Sequence, residues 1–104
     1  TFPRVIARYV RDLRLLSLSE AIRKMTILPA RVFGLADRGR IELGCAADIT
    51  IFDYASIRDN ATYTNPFQQP SGVLHVFVNG VPAVKDGKLQ YEAAGRFLRR
   101  RYWR

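Results

Sequence analysis

Residues 39–53, GRIELGCAADITIFD, decide the fold of this chain. Residues 72–87, GVLHVFVNGVPAVKDG, have the same kind of pattern further along the sequence. Both stretches place apolar residues between glycine turns, which is typical of short β-strands joined by tight turns. Neither stretch contains a cluster of side chains that could carry out chemistry. We therefore interpret both as packing units, and the chain as part of a larger protein rather than an independent enzyme.

The pattern predicts five short strands and two hairpin turns. Asn79-Gly80 is the strongest hairpin signal, because both central positions of such a turn need positive φ, and Asp86-Gly87 repeats it. The residues between the strand groups, 54–72, are polar and turn-rich and predict a long surface excursion. Five short strands make a small open sheet whose edges need cover, which points to missing partner strands or to oligomerisation. The predicted strands are 40–43, 48–52, 74–79, 81–85 and 88–91.

Residues 2–34 predict three helices. Apolar residues recur at helical spacing from Phe2 to Leu13, and the Ser17-to-Glu20 stretch has the form of a capping box that starts a second helix. Pro29 suits the first turn of a third helix, and Gly34 suits its left-handed end. Since the helices precede the strands without βαβ alternation, the predicted fold class is α+β.

The net charge of +8 belongs to the two ends of the chain. Residues 1–40 hold nine Lys/Arg against three acids, residues 41–92 hold three against six, and residues 93–104 hold five arginines and no acid. A basic helix stripe (Arg4, Arg8, Arg11, Arg14) and the aromatic, arginine-rich tail 96–104 keep a nucleic-acid-binding module open as an alternative. The other interpretation is a solvated helix face and a terminal segment lying over apolar surface.

The residue inventory argues against a complete active site. A catalytic zinc needs about three protein ligands, and the chain has one histidine, His75, in a predicted strand. The one cysteine, Cys45, follows a turn glycine, and its solitary state fits a reducing compartment, so we expect a cytoplasmic protein. The sequence contains no apolar run of eighteen residues, so it does not predict a membrane span. Helix caps and loops explain the serines at 17, 19, 56 and 71, and turns explain the glycines at 34, 39 and 44. The sequon Asn60-Ala-Thr62 is a pattern that is common by chance.

Three stretches together resemble the C-terminal part of the metal-dependent amidohydrolases. Residues 19–34 match the family's helix, T-x-x-P-A and glycine stop, and residues 39–53 match its G-x-I-x-x-G-x-x-A-D motif followed by a strand ending in Phe-Asp. The third stretch, 76–87, matches through Val76, Val78, Gly80, Val84 and Gly87. Within the superfamily, residues 1–26 and 61–81 are similar to N-acyl-D-amino-acid deacylases, the D-aminoacylases.

The resemblance implies a zinc-carrying (β/α)₈ barrel and a small composite β-sandwich built from both ends of the parent chain. Residues 1–35 would be the last barrel helices, and residues 36–104 the C-terminal portion of the sandwich with a basic tail. The parent would hydrolyse the amide of an N-acyl-D-amino acid with metal-activated water. The family's metal ligands and catalytic aspartate have no counterpart here, so we predict no catalytic, cofactor-binding or metal-binding residue, and neither Cys45 nor His75 as a ligand.

Alone, the chain is expected to be inactive and metal-free, with the N-terminal part of the parent as its partner and with no nucleic-acid or membrane partner. A homo-oligomer through the open sheet edges is a further possibility. A dihydropyrimidinase- or dihydroorotase-like parent stays open as an alternative, because those enzymes share the sandwich pattern.

Overall fold

A computed structural model describes residues 1–100 and shows helices followed by one antiparallel sheet, as the sequence predicts. Helix α1 (Phe2–Arg4) continues as a π-helical stretch (Val5–Asp12), and α2 (Leu18–Met25) and α3 (Ile27–Phe33) follow. The strands are β1 (Ile49–Phe52), β2 (Val73–Val78), β3 (Val81–Lys85) and β4 (Lys88–Leu89). None of the helices in the described part is long and apolar enough to cross a membrane.

The helix ends are set by the residues that the sequence indicated. The Ser17 hydroxyl accepts a hydrogen bond of 3.2 Å from the Glu20 amide and so caps α2. At the end of α3, Gly34 is left-handed (φ 70°), and its amide donates to the carbonyls of Ala30 and Arg31. Ala21 of α2 is fully buried, since α2 packs against both α3 and the π-helical stretch.

The sheet has the order β1-β2-β3-β4, and every neighbouring pair is antiparallel. Its two hairpin turns form as expected: φ is 49° and 80° at Asn79-Gly80, and Asp86-Gly87 has 51° and 76°. His75 of β2 lies opposite Ile51 of β1. Strand β4 is two residues long, shorter than the predicted 88–91.

The strand predicted at 40–43 is wrong. These residues form bends and a turn in which the Cys45 amide donates to the Glu42 carbonyl at 3.1 Å. The Glu42 carboxylate hydrogen-bonds the Arg40 guanidinium and raises its pKa. Leu43 is fully exposed. Alternation of apolar residues is not sufficient here, because a strand also needs a ladder partner and no described residue provides one.

The excursion after β1 is irregular, as predicted, but it is anchored at its start. The Asp53 carbonyl accepts from the Ile57 amide at 2.8 Å, and its carboxylate accepts from the Ser56 hydroxyl at 2.6 Å, which closes a tight turn. Ile57 is 2% exposed and fixes this turn in the interior. A Cβ at position 72 would lie 2.5 Å from the Ile57 backbone, so only glycine fits beneath the turn.

The buried core is small for a chain of this length. Within residues 1–100, the buried apolar residues are Ile6, Ala7, Val10, Ala21, Ala30 and Ile57, and no strand residue is among them. The accessible surface is 8280 Å², whereas a folded monomer of this mass exposes about 6,000 Å². The helices and the sheet contact each other mainly through connecting segments. Both layers therefore keep apolar surface that another layer could cover.

Candidate functional site

His75 contacts structural neighbours rather than catalytic ones. Its side chain is 30% exposed, its ring stacks on Phe77, and its Nε2 lies 3.6 Å from a carboxylate oxygen of Asp86. The Asp86 backbone amide donates to the other ring nitrogen, His75 Nδ1, at 3.4 Å. The histidine therefore connects β2 to the Asp86-Gly87 turn. No group of three or more His, Cys, Asp or Glu within residues 1–100 could hold a metal ion.

Cys45 and the serines lie in turns and caps. Cys45 is half-buried beside the exposed turn at Gly44 and carries a free thiol. Ser17 caps α2 and lies 3.3 Å from the Ser19 hydroxyl, and Ser56 donates to Asp53 within its own turn. The Ser71 hydroxyl is 3.4 Å from the Asn60 side-chain amide. These contacts account for each hydroxyl locally, and none of them joins a serine to His75.

Gly39, which opens the 39–53 stretch, permits a close approach of the chain to the junction of α2 and α3. Gly39 has a φ of +84°, and a Cβ there would lie 2.7 Å from the Ala30 Cβ and 2.9 Å from the Thr26 carbonyl oxygen. Any larger residue would push the chain away from the junction of α2 and α3. Its function is packing, not phosphate binding.

Arg38, Asp48 and Asn79 form a polar cluster that we call the hairpin clasp. Asp48 Oδ1 accepts a hydrogen bond from the Asn79 backbone amide at 2.8 Å, and Asp48 Oδ2 lies 2.7 Å from Arg38 Nε. That Nε–H is not aligned for a hydrogen bond, so the contact is an ion pair. Arg38 Nη2 donates to the Asn79 side-chain oxygen at 2.9 Å. The Arg38 side chain is only 11% exposed.

Two further bonds attach the clasp to its surroundings. The Gly80 amide donates to the Ala47 carbonyl at 3.0 Å, and the Asn79 side-chain amide donates to the Ala94 carbonyl at 2.7 Å. Ala47 and Asp48 of the 39–53 stretch thus hold the Asn79-Gly80 turn of the 72–87 stretch. Sequence reasoning identified both motifs but missed Arg38, because its partner Asn79 lies forty-one positions away and no local pattern encodes the pairing.

Two of the four arginines in the basic helix stripe, Arg4 and Arg11, make contacts within the chain. Arg11 Nη1 donates to the carbonyls of Tyr54, Ala55 and Ile57 at 3.1, 3.1 and 2.8 Å, so it caps the turn at the end of β1. Arg4 donates to the Ala61 carbonyl at 2.8 Å and pairs with Asp59. Arg8 and Arg14 are exposed.

Asp59 is the acidic partner of the helix start. The Ala61 backbone amide, together with Arg4, lowers the pKa of the Asp59 carboxyl. A lowered pKa means that the ionised carboxylate stabilises the fold above its usual pKa, and that this contribution is lost as the pH falls through the lowered value. The arrangement fastens the excursion to the first helix and has no geometry for catalysis.

The remaining motifs lie in loops. The Asn60 side-chain amide of the sequon donates to the Gln69 carbonyl at 2.9 Å and so serves the loop itself. Residues 96–100 of the tail are exposed and lie outside helices and strands. The rest of the tail, 101–104, lies outside the described residues.

Comparison with known proteins assigns the chain by sequence and by fold. The Amidohydrolase family model matches residues 2–84. An N-acyl-D-glutamate deacylase of Alcaligenes xylosoxydans xylosoxydans is 47% identical over 100 residues, which is 96% of this chain and 20% of that protein. The chain therefore spans about one fifth of the length of this curated relative.

Solved structures agree with this fold. A D-aminoacylase whose structure was determined to study its binuclear metal center superposes with a TM-score of 0.93 at 44% identity, over 96% of this chain and 21% of that one. An N-acyl-D-glutamate deacylase from Bordetella bronchiseptica, in complex with zinc and a phosphonate inhibitor, superposes with a TM-score of 0.77 at 44% identity, over 78% of this chain and 17% of that one. The resemblance inferred from the three motifs is confirmed, and the chain belongs to the amidohydrolase family.

Proposed function

We propose that this chain is the C-terminal part of a zinc-dependent amidohydrolase that hydrolyses the amide bond of N-acyl-D-amino acids. The observation that carries the proposal is the 47% identity to an N-acyl-D-glutamate deacylase over nearly the whole chain. That match covers 96% of the chain, and the similarity of residues 1–26 and 61–81 to deacylases favours them over the dihydropyrimidinase- or dihydroorotase-like alternative. The proposal does not specify the acyl group or the side chain of the substrate.

The contribution of the chain itself is structural. Residues 1–35 would supply the last helices of the parent's barrel, and residues 36–104 the C-terminal portion of its β-sandwich. This division is supported by the few direct contacts between the helices and the sheet, and by the exposed apolar side chains on both. The natural partner is then the remainder of the parent polypeptide, which would cover these surfaces.

The zinc of such an enzyme would be held outside this chain. The described residues do not fit a zinc site, because His75 is engaged by Asp86 and Phe77, and no third ligand joins any pair. Hydrolytic zinc requires about three protein ligands and an open position. No step of the amide hydrolysis is therefore assigned to residues of this chain.

The nucleic-acid alternative loses much of its support from the arginine contacts. Two of the four stripe arginines, Arg4 and Arg11, donate to backbone carbonyls of the excursion and so have a structural role within the chain. We place the parent in the cytoplasm on the evidence of the single cysteine, which suits a reducing compartment.

The decisive experiment is a chimera of a D-aminoacylase relative in which the matching fifth is replaced by this chain. Because the two share 44% identity and a TM-score of 0.93, we expect a soluble enzyme that hydrolyses N-acetyl-D-amino acids. Its kcat/KM should stay within about tenfold of the relative's own, equivalent to about 1.4 kcal/mol in transition-state stabilisation.

Two controls define the result. The relative with its matching fifth deleted should show no hydrolysis, and the N-acetyl-L-amino acids should be poor substrates of the chimera. A soluble, zinc-loaded chimera without deacylase activity would contradict the proposal, since the chain would then fail to replace the segment that it resembles.

A further inference from the structure

Strand β4 covers only one half of the outer edge of β3. Its two residues, Lys88–Leu89, pair with Val84 and Lys85 of β3, and the Gln90 amide donates to the Ala83 carbonyl at 2.8 Å. Residues 91–100, the rest of the described chain, add no further backbone hydrogen bond to β3. The first half of β3 therefore has no strand beside it on this side.

A proline and a bulge explain why the ladder stops there. Pro82 has no amide hydrogen to donate to a neighbouring strand. In addition, β3 holds one extra residue, Ala83, between the pairs Val76–Val84 and Phe77–Pro82 that it makes with β2. A bulge of this kind bends the strand and interrupts regular pairing. Proline and bulges are both means by which natural sheets protect an exposed edge.

Residues 90–96, which we call the edge strap, run along this half of β3 without joining the ladder. The register of β3 and β4 puts residue 94 opposite Asn79, and there the Asn79 side-chain amide donates to the Ala94 carbonyl at 2.7 Å. Ala94 is the one half-buried residue of the strap. An open depression, lined by Val81 and Glu92 among others, separates the middle of the strap from β3. The strap is therefore held at two points, and the second is a single side-chain hydrogen bond.

We infer that the edge strap is an autoinhibitory contact. It occupies the outer edge of β3 and prevents a second copy of the chain from adding a strand there, and the Asn79 side-chain amide is its latch. Free strand edges pair readily with other chains, and Pro82 removes only one donor from this edge. The latch belongs to the hairpin clasp, so the strap is tied through Asn79 to Asp48 and Arg38. All of these contacts lie within residues 38–96.

Trypsin cleavage tests the latch. Cleavage after Arg96 requires an extended chain in the protease, and Ala94 is the third residue before that bond. Asn79→Asp removes the side-chain NH2 but keeps an oxygen facing Arg38 and a residue type that tolerates the left-handed turn. The initial rate of cleavage after Arg96, relative to that after Arg99 in the same chain, should rise about fivefold. This is the factor that one ordinary hydrogen bond contributes to the population of the open form, about fivefold.

The matched control is Asn60→Asp. The Asn60 side-chain amide also donates to a backbone carbonyl, that of Gln69 at 2.9 Å, but this bond lies outside the strap. The control should leave the ratio of the two cleavage rates as it is in the unsubstituted chain. If Asn79→Asp also leaves the ratio unchanged, the Asn79 side chain is not the latch.

Two truncations test the autoinhibition. One chain ends at Gln90 and lacks most of the strap, and the other ends at Arg96 and keeps it. They differ by residues 91–96, YEAAGR, which hold one acid and one arginine and so leave the net charge equal. Light scattering on a dilution series should show that the shorter chain self-associates at concentrations about tenfold lower, because a few new cross-strand pairs supply that factor.

Asn79→Asp keeps the full chain and should shift self-association in the same direction, whereas Asn60→Asp should not. This variant decides the matter if the shorter chain does not fold, as circular dichroism would show. Equal self-association of the two truncated chains, both folded, would overturn the inference. Equal self-association of the two aspartate variants would overturn it as well, because release of the strap would then leave the edge of β3 unpaired.

Discussion

At the scale of single residues, the family motifs describe contacts between distant parts of the chain. Asp48 is the clearest case, because its carboxylate receives the Asn79 amide and faces Arg38. Gly39 is the second, since a Cβ there would meet Ala30 at 2.7 Å. These residues hold the second and third stretches of the chain together and against the helices. The motifs therefore mark an enzyme family through its scaffold.

Asp48→Ala should loosen the hairpin. The substitution removes the acceptor of the Asn79 amide and leaves the largely buried Arg38 without that partner. A hydrogen bond to a charged group contributes about 2 kcal/mol, so exchange of the Asn79 amide with solvent deuterium should speed up about 30-fold. The measurement is hydrogen exchange of the peptide that contains residues 76–84.

The matched control is Asp37→Ala. Asp37 also pairs with Arg38, at 3.1 Å, and is exposed to a similar degree (43% against 39% for Asp48), but its carboxylate makes no bond to the hairpin. An exposed ion pair contributes about 0 to 1 kcal/mol. Equal exchange rates in the two variants would show that the Asp48 carboxylate does not hold the turn.

The sequence could predict the turns and caps at this scale, but not the clasp. Asn79-Gly80, Gly34 and Ser17 act through their own local geometry, so their residue types are sufficient to predict them. Arg38 acts on Asn79, forty-one positions away, and no local pattern encodes such a pairing. The same holds for Arg11, whose three acceptors lie at the end of β1.

At the scale of elements, the first helix and the excursion form one unit. Arg11 donates to three carbonyls of the turn that follows β1, and Ile57 is buried from the same turn. Asp53 closes the turn from its other end. The arginine stripe, which suggested nucleic acid, therefore includes the residue that joins the helical part to the sheet part.

Arg11→Met should release this turn while keeping the apolar stem of the side chain. Three carbonyls would lose a charged donor, so we expect about 2 kcal/mol of local stability to be lost and the Ile57 amide to exchange about 30-fold faster. Arg8→Met is the control, because Arg8 is exposed and no hydrogen bond of its side chain is seen within residues 1–100. If the Ile57 amide exchanged at an unchanged rate in the Arg11 variant, Arg11 would not be the residue that joins the first helix to this turn.

The predicted strand at 40–43 shows the limit of patterning for an element. Ile41 and Leu43 alternate with polar residues, yet they are 86% and 101% exposed. Periodicity reports which side chains prefer burial, whereas a strand is completed by hydrogen bonds from a neighbour. The strands that were predicted correctly each have that neighbour within the chain.

At the scale of the whole molecule, the surface area is the informative quantity. The chain exposes 8280 Å², about 2,300 Å² above the expectation for a folded monomer of its mass. An excess of that size on one partner is in the range of obligate interfaces. The irregular segment 90–100 contributes to this excess, and the exposed apolar side chains of the helices and the sheet, such as Phe33, Ile51 and Leu74, suit permanent contact with the remainder of a larger protein.

The isolated chain should bind a hydrophobic dye such as ANS and should unfold over a broad temperature range, because apolar side chains of the helices and the sheet are exposed. Metal analysis of the pure chain should find no stoichiometric zinc. Addition of the truncated D-aminoacylase relative should reduce the dye fluorescence as the surfaces are covered. A sharp unfolding transition without dye binding, or zinc bound one-to-one, would show that the chain is self-sufficient.

The hairpin clasp also bears on how the molecule ages. Asparagine followed by glycine is prone to deamidation, which begins when the glycine nitrogen attacks the asparagine side chain. Here the Gly80 nitrogen is held by the Ala47 carbonyl, and the Asn79 amide group is held between Arg38 and Ala94. The attack needs both groups to move, so the clasp slows this reaction. If the clasp opens, deamidation would replace the side-chain NH2 that donates to the Ala94 carbonyl with an oxygen, so this hydrogen bond could not form again when the hairpin returns.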